Sequence, residues 1–132
     1  MTGRTLSRVL YVEDESDIQT VAKLALEVVG GLVVQTCDSG EKALAQAQIF
    51  SPDLILLDVM MPGMDGPSTL KALRAQPKTA NIPVIFMTAK VQPYEIERYR
   101  ELGAIGVIPK PFDPMTLAQS VRDIWTRHGI NA

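Results

Sequence analysis

Apolar residues gather into five short, unbroken runs, at residues 9–12, 32–36, 54–57, 83–87 and 105–108, separated by stretches in which they recur every three or four positions. Continuous rather than alternating runs suit strands covered on both faces of a parallel sheet, and the intervening period suits amphipathic helices. The first helix carries Ile18, Val21, Ala22, Ala25, Val28 and Val29 and is stopped by Gly30 and Gly31. Ser39 is placed to cap the second, which runs through Ala43, Leu44 and Ala47 toward Phe50. A third starts near Pro67, carries Leu70 and Leu73 and ends before Pro77; a fourth runs from Pro93 to Gly103. The last has Asp113 as its predicted cap and Pro114 in its first turn, presents Leu117, Val121 and Ile124 on one face, and ends by Gly129.

Strand and helix thus alternate five times. That order predicts an α/β fold, a doubly wound, five-stranded parallel sheet with right-handed crossovers and helices on both faces. Five units are too few for an eight-fold barrel. The 132 residues fit one domain, with 1–7 and 129–132 expected as loose ends and no internal repeat or linker between.

Composition narrows the function without naming it. At 46% hydrophobic and 21% charged, the chain has ordinary globular usage. Thirteen basic against fifteen acidic side chains give a net charge of −2, which offers no general drive toward nucleic acid or an anionic membrane. No apolar run approaches the roughly 20 residues of a membrane span. The run at 9–12 meets Glu13 too soon for a signal-peptide core. Cys37 is the single cysteine, so it forms no intrachain disulfide and reads as a small buried hydrophobe. The expected setting is the cytoplasm.

In open α/β sheets, ligands bind beyond the carboxyl ends of the strands. Glu13, Asp14, Glu15 and Asp17 follow the first run, Asp58 the third, Thr88 the fourth and Lys110 the fifth. Alone, an acidic loop favours the next helix's N-terminus and an aspartate makes a turn. If the first and third strands are neighbours, however, Asp14 and Asp58 converge, and like charges about 4 Å apart repel by roughly 4 kcal/mol at an effective dielectric of about 20. A cation relieves that repulsion. Oxygen ligands suit magnesium or calcium, and a partial carboxylate shell completed by water and a phosphate suits magnesium. The Lys110 ammonium can bind a phosphoryl oxygen, and the Thr88 hydroxyl can donate to one. Asp58 is then open to the role of nucleophile, forming an aspartyl-phosphate.

The motifs "YVEDE" at 11–15, "LLDVMMPGMDG" at 56–66, "FMTA" at 86–89 and "IPKPF" at 108–112 resemble, in content and order, the receiver domains of two-component response regulators. The resemblance covers residues 8 to about 128. It implies a flavodoxin-like sheet of order 2-1-3-4-5. It also implies that Asp58 accepts a phosphoryl group from a histidine kinase or histidine phosphotransfer protein. Glu13 and Asp14 would hold Mg2+, directly or through water, with Asp58 and the Met60 backbone carbonyl. Thr88 would be the switch hydroxyl, with Ala89 beside it in the phosphate-binding set, and Lys110 would pair with the phosphate. The Lys110–Pro111 bond is often cis in such proteins. The output partner would read helix four, strand five and helix five of a monomer or weak dimer. Such a regulator catalyses only its own phosphorylation and dephosphorylation. It fits a stand-alone chemotaxis-type regulator and a piece of a hybrid kinase or larger regulator alike.

The resemblance departs at Val107, three residues before Lys110, where many receivers carry an aromatic ring that swings inward. Met60 and Lys90 occupy positions that tune phosphate lifetime in the family. Two other classes compete. A haloacid-dehalogenase-like phosphatase wants a second aspartate two residues after the nucleophile, where this chain has Met60. A flavin-binding module wants a Ser/Thr/Gly phosphate loop after the first strand, where acids would repel a metal-free phosphate. His128 reads as a helix C-terminal residue, and zinc or cysteine–histidine chemistry has no support. Tyr99 and Trp125 read as packing residues, and Arg98, Arg100, Arg122 and Arg127 as solvated helix faces.

Overall fold

The computed structural model describes residues 5–128. Its strands are β1 (Arg8–Val12), β2 (Val33–Cys37), β3 (Leu54–Asp58), β4 (Val84–Thr88) and β5 (Gly106–Pro109). They form one parallel sheet in the expected order β2-β1-β3-β4-β5. Val12 lies opposite Cys37 on one side and Leu57 on the other, Asp58 opposite Met87, and Thr88 opposite Pro109. That register brings the ends of β1, β3, β4 and β5 to a single edge. Asp58 is the last residue of β3 rather than the first of the loop, so it keeps a strand's place and a strand's burial.

The helices are α1 (Ser16–Leu24), α2 (Gly40–Phe50), α3 (Gly66–Ala75), α4 (Pro93–Glu101) and α5 (Leu117–Arg127). Val9, Tyr11, Leu54 and Leu56 pack in one layer with Ala22, Leu26, Val121 and Trp125, while Leu10, Val12, Ile55 and Leu57 pack in the other with Ala43, Leu70, Leu73 and Tyr99. Alternate side chains of one strand therefore feed opposite layers, which is why the strands read as unbroken apolar runs.

Three local readings need correction. The helix predicted over 18–29 is α-helical only to Leu24, and Ala25–Val29 form a π-helical turn ended by Gly31 at φ +69°. Ala22, Ala25 and Leu26 point inward, whereas Val21, Val28 and Val29 are exposed, Val28 by 77%. The three-and-four recurrence had merged two sides of the segment. α5 begins at Leu117, because the Asp113 carboxylate accepts from the Met115 amide (2.9 Å) and closes a separate turn first. Arg122 is not simply solvated: its guanidinium donates to the Gly30 carbonyl at 2.6 Å and ties α5 to the end of the π turn.

The Ser39 cap is as predicted, its hydroxyl accepting from the Lys42 amide (3.1 Å). Asp65 plays the same part for α3, accepting from Ser68 (2.8 Å). Residues 1–4 and 129–132, including Gly129, lie outside the described residues. Leu6 is buried, and the amides of Ser7 and Arg8 donate to the Asp53 carboxylate at 3.0 and 2.9 Å.

Candidate functional site

The strand ends assemble an ionic cluster. Glu13 continues the line of β1, its amide donating to the Cys37 carbonyl (3.0 Å), and its side chain is fully buried. Its Oε1 accepts from the Tyr11 hydroxyl and from Lys110 Nζ, each at 3.1 Å, and its Oε2 accepts from the Glu15 amide at 3.2 Å. Asp58 is 2% exposed, and its Oδ1 accepts from the same Lys110 Nζ at 3.2 Å. Lys110 arrives from the far end of β5, where its amide donates to the Thr88 carbonyl (2.9 Å). One ammonium thus bridges carboxylates from β1 and β3.

The charges do not balance. Carboxylate oxygens of Glu13, Asp14 and Asp58 lie within 4.8 Å of one another, against the single ammonium of Lys110. Burial, and next the charge of Glu13, push the Asp58 carboxyl from its ordinary 3.8 up to about 6, with Lys110 pulling the other way. Burial works against the Lys110 ammonium, but the hydrogen bond to Glu13 and the charges of Asp58 and Glu13 outweigh it and raise its pKa. Asp14 Oδ1 is shielded from solvent and, among the described residues, is the buried side-chain oxygen without a hydrogen-bond partner. A buried, unpaired carboxylate oxygen facing two more carboxylates is costly unless a cation completes it. An oxygen-only set of this kind fits a hard divalent cation.

The loop after Asp58 is built by contact. Met60 is 65% exposed. Gly63 holds φ +73°, and at Gly66 a Cβ would fall 2.7 Å from the Asp58 carbonyl oxygen and 2.8 Å from Val59 Cα. α3 therefore starts hard against the end of β3. Thr88 is buried, and its Oγ1 accepts from the Lys90 amide at 3.0 Å. Ala89 and Lys90 are exposed beyond it. The Lys110–Pro111 bond is cis, as expected. Val107 is half-buried and lines a cavity of about 560 Å³ between α4 and α5, with Ile96, Arg100, Ile124 and Arg127. His128 occupies the C-cap position of α5, and Tyr99 and Trp125 are buried.

Sequence reasoning missed two features. Tyr11 reads as one more member of an apolar strand, and only its hydroxyl, two residues before an acid, hints at a polar contact. The second is an apolar trough of about 270 Å³ that starts at Asp17 and Lys110 and is walled by Ile18, Val21, Phe112 and Pro114.

A parallel 2-1-3-4-5 sheet with an acidic cluster, threonine and lysine along its carboxyl edge defines a receiver-type α/β module. Residues 9–122 match the response regulator receiver domain family, and the chain belongs to it. The chain is 38% identical over 125 residues to the alkaline phosphatase synthesis transcriptional regulatory protein PhoP of Bacillus subtilis, covering 95% of this chain and 51% of that protein. It therefore spans about half the length of that relative. Its fold is similar to that of the chemotaxis response regulator CheY4 of Vibrio cholerae (TM-score 0.83, 33% identity, 91% of this chain and 99% of that one). It is also similar to the receiver domain of a signal transduction histidine kinase from Syntrophus aciditrophicus (TM-score 0.77, 33% identity, 92% and 91% covered). These matches support a module of phosphorylation-dependent signalling and lend nothing to the phosphatase alternative. Among the described residues no helix is long and apolar enough to cross a membrane.

Proposed function

We propose that Asp58 is the phosphoacceptor of a two-component receiver, taking its phosphoryl group from a phosphohistidine on a kinase or phosphotransfer protein. The observation that carries this reading is the cluster itself: a strand-end carboxylate, two further acids, an orphaned carboxylate oxygen and a bridging lysine. In the transfer, an Asp58 Oδ attacks phosphorus, the P–N bond of phosphohistidine breaks, and its electron pair leaves on the imidazole nitrogen. Lys110 then follows the charge from the Asp58 oxygen to a phosphoryl oxygen. Thr88 exchanges its contact with the Lys90 amide for donation to another phosphoryl oxygen.

Asp14 and Asp58, with the Met60 backbone carbonyl, would ligate Mg2+, and Glu13 would reach it directly or through water. When bound, Mg2+ offsets negative charge on the phosphoryl oxygens. The apolar trough beside Lys110 gives the phosphodonor protein a surface adjoining the mouth of the site. The added charge, about −1.5 to −2, shifts the surface of α4, β5 and α5 toward a form that an output partner reads. With Val107 in place of a ring, that shift runs through Thr88 and the segment from Lys90 to Tyr99.

Intact mass after incubation with Mg2+ and acetyl phosphate tests the reading. One phosphoryl addition is expected in the wild type and none in Asp58→Asn. A label that persists in the variant overturns the assignment.

A further inference from the structure

Tyr11 is the fourth of the five residues of β1 and has no exposed surface, in a layer otherwise made largely of aliphatic side chains and Trp125. A phenylalanine would supply the same ring volume there without a hydroxyl to satisfy. The hydroxyl does have a partner. Residues two apart on a strand share a face, and Tyr11 donates to Oε1 of Glu13 at 3.1 Å. That oxygen also takes Lys110, and Oε2 takes the Glu15 amide. Glutamate carries one more rotatable bond than aspartate, so a glutamate in an ionic cluster needs an additional restraint to hold its carboxylate in place. The Tyr11 hydroxyl sits where it supplies that restraint, from the core side and out of reach of water.

We propose that Tyr11 is a positioning residue for the cation site: it acts through Glu13, fixing where that carboxylate's charge lies relative to Asp14 and Asp58. The proposal rests on the reading that this cluster holds Mg2+. Partners that orient a metal-binding carboxylate typically contribute 10- to 100-fold to affinity, and a restraint on a residue that also has two other donors belongs at the lower end, about tenfold.

The test is the Mg2+ dissociation constant, measured by calorimetry with the metal alone on the full chain. Tyr11→Phe, which keeps the ring and hence the packing, is expected to weaken Mg2+ binding about tenfold. The same substitution made in a Glu13→Gln background is expected to change Mg2+ affinity by less than about twofold, because the group through which Tyr11 acts is already neutral. An unchanged Mg2+ affinity in Tyr11→Phe overturns the proposal, and so does a tenfold loss that persists in the Glu13→Gln background. Phosphoryl uptake at Asp58, followed separately by intact mass, reports on the acceptor reading: a Tyr11→Phe variant with wild-type Mg2+ affinity and normal uptake sinks the Tyr11 role and leaves Asp58 standing. Wild-type protein that neither binds Mg2+ nor takes up phosphoryl overturns both.

Discussion

The end of β3 and the outer edge at β5 lie on the same row of strand ends, yet they are held by different physics. Around Asp58, position is set by charge: one ammonium bridges two carboxylates, and a buried oxygen of a third carboxylate, Asp14, has no hydrogen-bond partner. Around β5, position is set by volume. Gly106 is pressed so close to α5 that a Cβ would fall 2.6 Å from Ile124, while the next residue, Val107, borders a cavity of about 560 Å³. Ionic clusters demand particular residue types, so the β3 end is written in few, recognisable letters. A packed surface accepts many side chains, so the exit surface is free to vary with whatever it meets.

Four substitutions sharpen that contrast. Lys110→Ala removes the cation that bridges a buried acid pair, and a loss of about 3 kcal/mol is expected in denaturant unfolding without metal, low in the range for broken buried pairs because the ammonium keeps some contact with water. Added Mg2+ is expected to recover part of that loss; a loss below about 0.5 kcal/mol would mean that Lys110 is a surface ion pair. Gly106→Ala is expected to cost about 2 kcal/mol by overpacking against Ile124, read as a lower midpoint at unchanged slope.

Asp58→Asn is expected to act in the opposite direction. The folded Asp58 carboxyl is raised from 3.8 to about 6, so between those values the folded state binds more protons than the unfolded one. Stability contributed by this group is therefore full below about pH 4 and lost as pH rises through about 6. Neutral asparagine removes the cost, adding up to about 3 kcal/mol near pH 7 and flattening the slope in that window. A variant that keeps the wild-type slope would assign it to another group. Smallest of all, Val107→Tyr is expected to change stability by less than about 1 kcal/mol, since the ring has a cavity to enter. A larger loss would show that the groove beside β5 is closed to a ring.

The two ends also differ in how far they can be read from sequence. The strands show as continuous runs because both faces are buried, and Asp58, Glu13, Asp14, Thr88 and Lys110 fall together on one edge as the motifs imply. Where several effects compete, the pattern misleads. Val28 carries a core-like period but faces solvent where the helix has passed into a π turn, and Val21 lies on the exposed side of α1 itself. Asp113 looks like a helix cap, yet the Asp-Pro pair closes its own turn before α5 can start. The restraint on Glu13 is invisible because a tyrosine in a buried strand counts simply as apolar until its hydroxyl is given a partner. Of the glycines after Asp58, Gly63 serves a positive φ and Gly66 a backbone contact.

The central claim is that the buried carboxylate ending β3 is the atom group that takes the phosphoryl. Borohydride reduces an acyl phosphate to the alcohol, converting a phosphorylated aspartate to homoserine. Tandem mass spectrometry of protein treated with acetyl phosphate, Mg2+ and then borohydride is expected to place homoserine at position 58 and leave positions 13, 14 and 17 unchanged. Reduction at one of those acids instead, or a phosphorylated chain with an intact Asp58, would contradict the account.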